Sequence, residues 1–242
     1  MLNLDFLRKW RISRILPNKT KSWAKSRRLP EPPKIPKVPT GQKLSWCPFA
    51  FKGFPRGATK GTYPFLYPQG AVIHFTSRNQ KERLVDAVRH QNQKRHLYFV
   101  ISEDGSISQN FPLTHWGYHS GASSWGCIKN SVDRYLVGIS ICCAGKLSKK
   151  GVPWFGNAPY PLDTIRVVEE RDNIAAGTYQ RFSLAQEESI VKLLKWLKSN
   201  NPEVFDYTMV LGHDEVSPKR KNDPSGSLSV TMPELRELLK NG

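Results

Sequence analysis

The chain has 242 residues, room for one domain with a self-sustaining core and an appended arm. Its 38% hydrophobic and 11% aromatic residues suit a globular protein and exclude a wholly disordered one. The net charge of +17 bears on partners rather than fold, and points to polyanions: nucleic acid, anionic lipid, lipopolysaccharide or an anionic cell wall.

Residues 1–45 read as a basic, proline-rich arm. Eleven basic residues lie between Arg8 and Lys37, against Asp5 and Glu31, and prolines at 17, 30, 32, 33, 36 and 39 favour an extended chain. The first sixteen residues place Leu4, Leu7, Trp10 and Arg14 at helical spacing, which suits either a surface anchor or a solvated arm. Arg8, Lys9, Arg11 and Arg14 interrupt every apolar stretch there, so a classical signal peptide is not expected. No run of about 18 apolar residues predicts a transmembrane helix.

From Trp46 the pattern is that of one α/β domain, residues 46–242. Ala71 to Thr76 predicts a buried strand, and Asn79 to Gln91 a helix with Leu84, Ala87 and Val88 inward. His96 to Ser102 predicts a strand that turns at Glu103-Asp104-Gly105 and pairs with Ser106 to Phe111 as a hairpin. Leu136 to Cys143 predicts a further strand, on which Cys142 and Cys143 face opposite ways. Cys47, Cys127, Cys142 and Cys143 lack metal-site or disulfide spacing and are expected to be buried thiols. Residues 145–182, with Trp154, Phe155, Tyr160 and Tyr179, read as a long, partly ordered insertion. A helix is expected over Leu184 to Ser199, capped by Ser183 and Gln186, with Ile190, Leu193, Leu194 and Leu197 on one face. Thr208 to Leu211 predicts a strand, and Thr231 with Glu234 caps a last helix ending near Lys240.

Three residues carry a chemical reading. His74 lies within an apolar strand, where a lone histidine is usually a hydrogen-bonded core residue. His213 and Asp223 flank a polar loop that needs no core histidine, although an Asp-Pro pair also starts turns. Two imidazoles and one carboxylate form a frequent catalytic zinc set, because three protein ligands leave a fourth position open. If the three meet in space, the chain is a hydrolase.

Gly212-His213-Asp214-Glu215-Val216-Ser217-Pro218, running into Arg220-Lys221-Asn222-Asp223-Pro224, resembles the metal-binding signature of zinc-dependent N-acetylmuramoyl-L-alanine amidases of type 2. These are related to phage T7 lysozyme and the peptidoglycan recognition proteins. Ile73-His74-Phe75, Tyr98-Phe99-Val100-Ile101, Tyr118-His119-Ser120-Gly121 and Val137-Gly138-Ile139 resemble further elements in the family's order, so the resemblance spans roughly residues 65–240. It implies a central mixed β-sheet flanked by helices, zinc (Zn2+) on His74, His213 and Asp223, and Lys221 stabilising the oxyanion. The implied reaction is hydrolysis of the amide between N-acetylmuramic acid and L-alanine in peptidoglycan, by a wall-remodelling or phage-type lytic enzyme. Such an enzyme acts in the periplasm or outside the cell, and the basic arm suits an anionic envelope.

His119 and Ser140 are the candidate substrate-side residues; His119 either contacts substrate or a group around the ligands, or is a plain loop histidine. The chain departs from the family at the general base: Ser140 stands where many members have glutamate, and Leu97 where others have tyrosine. Tyr98 is expected to face the other side of the strand, and Glu169 or Glu170 of the insertion is the candidate substitute. An alternative implied by this departure is a catalytically impaired peptidoglycan-binding protein on the same fold. Specific nucleic-acid binding is not expected, since the domain shows no basic helix or stacking-aromatic motif.

Overall fold

The computed structural model describes residues 43–53, 59–91, 97–171 and 174–241. The expected N-terminal helix and polyproline stretch lie outside the described residues. The elements in chain order are β1 (Phe51–Lys52), β2 (Gly61–Thr62), β3 (Gly70–Phe75), α1 (Leu84–Gln91), β4 (Phe99–Ile101), β5 (Ile107–Gln109), β6 (His115–Trp116) and β7 (Leu136–Ile141). They continue with β8 (Lys146–Leu147), β9 (Ile165–Val168), β10 (Gly177–Gln180), α2 (Leu184–Asn200), β11 (Val210–Gly212), the short α3 (His213–Val216) and α4 (Met232–Lys240).

Six strands form a mixed sheet in the order β1-β5-β4-β7-β3-β11. β4, β7, β3 and β11 run parallel, while β5 returns antiparallel to β4 as the expected hairpin. Both faces of the parallel strands are covered, which is why β3 and β7 are buried along their whole length. One face carries the main core: Ile73 and Phe75 of β3 and Val137, Ile139 and Ile141 of β7 pack with Ile190, Leu193, Leu194 and Leu197 of α2 and Leu235 and Leu239 of α4. On the other face two small clusters form. Ala87 and Val88 of α1 cover Val100 and Cys142, and Val132 and Val216 pack on Val72, Leu136 and Leu211. Between these clusters the sheet presents His74 on β3 beside Ser140 on β7. Among the described residues no helix is long and apolar enough to cross a membrane.

Two expectations are corrected. Residues 145–182, expected as a long, partly ordered insertion, carry more regular structure than that: β8, β10 and β9 form a three-stranded antiparallel sheet, whose strands of two to four residues are too short to leave a periodic pattern. Cys127 is exposed, whereas Cys47, Cys142 and Cys143 are buried, and burial pushes these three thiols up to about 12. Cys142 and Cys143 do fall in opposite layers.

Ser183 joins α2 to the hairpin. Its hydroxyl accepts from Gln186 N at 3.0 Å and donates to Glu103 O at 2.6 Å, while Gln186 Oε1 accepts from Ser183 N at 2.9 Å. Ser183→Ala removes both hydroxyl bonds and is expected to cost about 1–2 kcal/mol, read as a lower urea midpoint at unchanged slope.

Candidate metal centre

His74 reaches the site because β3 alternates, its odd residues entering the main core and Val72 and His74 the other face. His213 opens α3 directly after β11, at the carboxyl end of the parallel strands, where open α/β sheets place their ligands. That junction is braced. Glu215 Oε2 accepts from Gly212 N at 2.9 Å, and Arg236 of α4 clasps Glu215 through two bonds of 2.8 and 2.9 Å. Asp223 comes back on the following loop, tied by Asp214 N to Asp223 O at 2.9 Å. Arg220 Nη2 donates to Ser120 O and Ala122 O, both at 2.7 Å, and pins this loop against residues 120–122.

Three ligand-type atoms converge. Asp223 Oδ2 lies 3.1 Å from His74 Nδ1 and 2.9 Å from His213 Nδ1, and the two Nδ1 atoms are 2.9 Å apart. All three residues are buried. The outer nitrogens decide what these atoms carry. His213 Nε2 faces Ser120 O at 2.9 Å, and His119 Nε2 faces Leu136 O at 2.9 Å; carbonyls only accept, so both nitrogens hold protons. A neutral His119 then offers Nδ1 as acceptor to His74 Nε2, 3.1 Å away. His74 is thereby the Nε2–H tautomer, and its Nδ1 lone pair points at His213 and Asp223.

Electrostatics agree with this arrangement. Burial pushes the His74 imidazole down to about 3, with His213 adding to the shift and Asp223 opposing it. Burial alone would raise the Asp223 carboxyl, but the imidazoles of His213 and His74 beside it outweigh burial and hold it below the usual carboxylate range, as they would if a proton were shared among the three groups. Two imidazole lone pairs and a carboxylate oxygen, about 3 Å apart and shielded from water, repel one another unless a positive charge sits between them. A proton or a metal ion meets that need, and the two-nitrogen, one-oxygen set suits zinc.

His119 does not lie on a substrate surface. It is buried behind His74, and Gly138 makes the room: a Cβ there would stand 2.8 Å from the His119 ring. Asp133 supports it from 3.4 Å, held by Ser120 N at 2.9 Å and Ser131 Oγ at 3.0 Å. Burial by itself would raise the Asp133 carboxyl, yet His119 and the Ser120 bonds keep it below its ordinary value. Ser140 is fully buried beside His74, and its Oγ has no partner among the described residues. Tyr98 turns away as expected, packing on Phe111 and giving its hydroxyl to His115 O. Leu97 lies on the His119 side, where a Gly138 Cβ would be 3.1 Å from it. Glu169 and Glu170 line a cleft with Arg171, Ser225 and Glu234, and none of His74, His213 and Asp223 contributes to its wall. Lys221 is half-buried on the loop that delivers Asp223. The supporting role of Asp133 had no sequence signal, because it depends on a contact between separate loops.

A family model described as N-acetylmuramoyl-L-alanine amidase matches residues 64–226, a span holding all three converging residues. No curated protein sequence matches the chain. Among solved structures, a selenomethionine AmpD derivative is similar at 15% identity and a TM-score of 0.50, over 81% of this chain and 97% of that one. The Escherichia coli amidase AmiD, in complex with anhydro-N-acetylmuramic acid-L-Ala-D-γ-Glu-L-Lys, is similar at 18% identity and a TM-score of 0.50, over 76% of this chain and 60% of that one. At such identities the likeness is one of fold.

The hydrogen-bond chain makes a spectroscopic prediction. In the metal-free protein, long-range 1H–15N spectra are expected to show His74 as the neutral Nε2–H tautomer from pH 8 down to pH 5. Its folded value lies below the 6.5 of a free imidazole, so unfolding takes up a proton as the pH falls. The stability of the metal-free protein therefore declines from about pH 6.5 toward pH 3 on this account. A His74 titration centred near 6.5, or an Nδ1–H tautomer, would contradict the chain.

Proposed function

The chain belongs to the N-acetylmuramoyl-L-alanine amidase family, and we propose that it uses zinc at His74, His213 and Asp223 to hydrolyse the amide between N-acetylmuramic acid and L-alanine in peptidoglycan. One observation carries the reading: two imidazole Nδ1 atoms and one carboxylate oxygen meet within 3.1 Å inside the matched span. His74, His213 and Asp223 would hold the zinc ion, which would supply Lewis acidity toward the amide carbonyl and toward a water.

The protein's own groups do the remaining work. His119 and Ser120 fix both imidazoles with their lone pairs inward, so little reorganisation accompanies binding. Lys221 supplies a positive charge two residues before Asp223, where it favours an oxyanion over the flat amide. Ser140 Oγ is the polar atom next to His74 on the sheet face, and it can orient a water but is a poor proton acceptor at neutral pH.

That last feature favours a second reading, a peptidoglycan-binding protein on the same fold with little turnover. Its weakness is that a binder has no need of an intact ligand triangle. The eleven basic residues between Arg8 and Lys37 suit docking to an anionic envelope, and the proposed reaction belongs at the wall, in the periplasm or outside the cell.

Product analysis separates the readings. Zinc-loaded protein incubated with purified peptidoglycan is expected to release stem peptides with a free L-alanine N-terminus, identified by mass spectrometry. Chelation or His213→Ala should abolish release, and Lys221→Met should lower kcat roughly a hundredfold. Retained muropeptide with no released peptide would sink the amidase reading and favour the binder.

A further inference from the structure

The inserted segment carries aromatic side chains that neither the core nor the metal centre uses. Two β-turns follow one another there: Gly151 N bonds Ser148 O at 2.9 Å, and Gly156 N bonds Pro153 O at 3.2 Å. Their central residues are Lys149-Lys150 and Trp154-Phe155, all exposed. Turn corners favour small, polar or ring-constrained residues, for backbone reasons that an indole does not serve. Trp154 is nevertheless held in place while remaining 72% exposed. Its Nε1–H donates to Ser77 O at 2.9 Å, and its ring meets that of Phe155 edge-on with centroids 5.4 Å apart. Ser77 follows His74 by three residues off the carboxyl end of β3, so the chain holds it within about 11 Å of His74. An oriented aromatic face thus stands where the chain leaves the carboxyl end of β3, the sheet end at which His213 opens α3, with Lys149 and Lys150 in the turn just before it.

We propose that the turn at residues 153–156 is a glycan platform, on which the Trp154 indole receives a sugar ring of the peptidoglycan strand next to the bond being cut. The proposal rests on the amidase reading and concerns the part of the substrate outside the scissile amide. The C–H bonds of a pyranose present electropositive hydrogens, which suit the negative face of an indole. Because the Nε1–H bond already fixes the ring, little side-chain freedom is lost on binding. Lys149 and Lys150 add positive charge for the lactyl carboxylates that amide cleavage frees along a strand, an interaction that weakens with salt.

The test uses the full-length, zinc-loaded protein and soluble peptidoglycan glycan strands stripped of their stem peptides. These lack the scissile amide, so binding is read by calorimetry without turnover. Trp154→Ala is expected to weaken binding roughly three- to tenfold, with Trp154→Phe recovering part of the loss. Added salt should weaken wild-type binding. A folded Trp154→Ala that binds like wild type would overturn the proposal, as would wild-type protein that binds free stem peptides but no glycan strands. Amide cleavage is scored separately on whole peptidoglycan. Trp154-dependent glycan binding without cleavage would remove the amidase reading and leave the platform standing.

Discussion

Everything at the candidate centre depends on how the outer nitrogens of two imidazoles are occupied. The segment 119–120 occupies both, through the His119 ring behind His74 and the Ser120 carbonyl behind His213. With the Nε2 atoms taken, the Nδ1 lone pairs have only one direction in which to point, toward each other and Asp223. The fold supplies what this constraint needs. Gly138 clears space for the His119 ring, Leu136 and Asp133 anchor it, and Arg236 clamps the junction from which His213 emerges. These contributions come from three separate stretches of chain, 119–120, 133–138 and the helix carrying Arg236, so the site is a product of tertiary structure rather than of one motif.

The division of labour between the faces of the sheet follows from the same constraint. The face covered by α2 and α4 holds nearly all the large apolar side chains, and its burial stabilises the domain. The other face is thinly packed, with two small clusters on either side of a polar strip. Concentrating unpaired lone pairs in that strip destabilises the metal-free protein, and a bound cation would reverse this by mass action. The site is thus an arrangement of groups whose mutual repulsion is relieved by the ligand it is shaped to hold.

Much of this was legible in the sequence because it is local. The strand around His74, the capping boxes at Ser183 and Thr231 and the opposed Cys142 and Cys143 each follow from a short-range rule, and the structure holds all of them. The pairing of His213 with Asp223 was readable because the nine-residue polar segment between them has no other use for an imidazole. What the sequence did not reveal is long-range or aperiodic. The function of His119 turns on a ring stacked behind another strand's side chain, and the small sheet at residues 145–182 consists of strands too short for hydrophobic alternation to register. Glu169 and Glu170, the candidates for the missing base, follow β9 and line a cleft to which none of His74, His213 and Asp223 contributes.

The most direct test of the account is the metal itself. Protein reconstituted with zinc and then dialysed should retain one zinc per chain, with an X-ray absorption spectrum of nitrogen and oxygen ligands that includes two imidazoles and no sulfur. Alanine at His74, His213 or Asp223 should each remove the bound metal from a folded chain. Zinc retained unchanged in those variants, zinc bound through cysteine sulfur, or no zinc retained by the wild type would contradict the assignment.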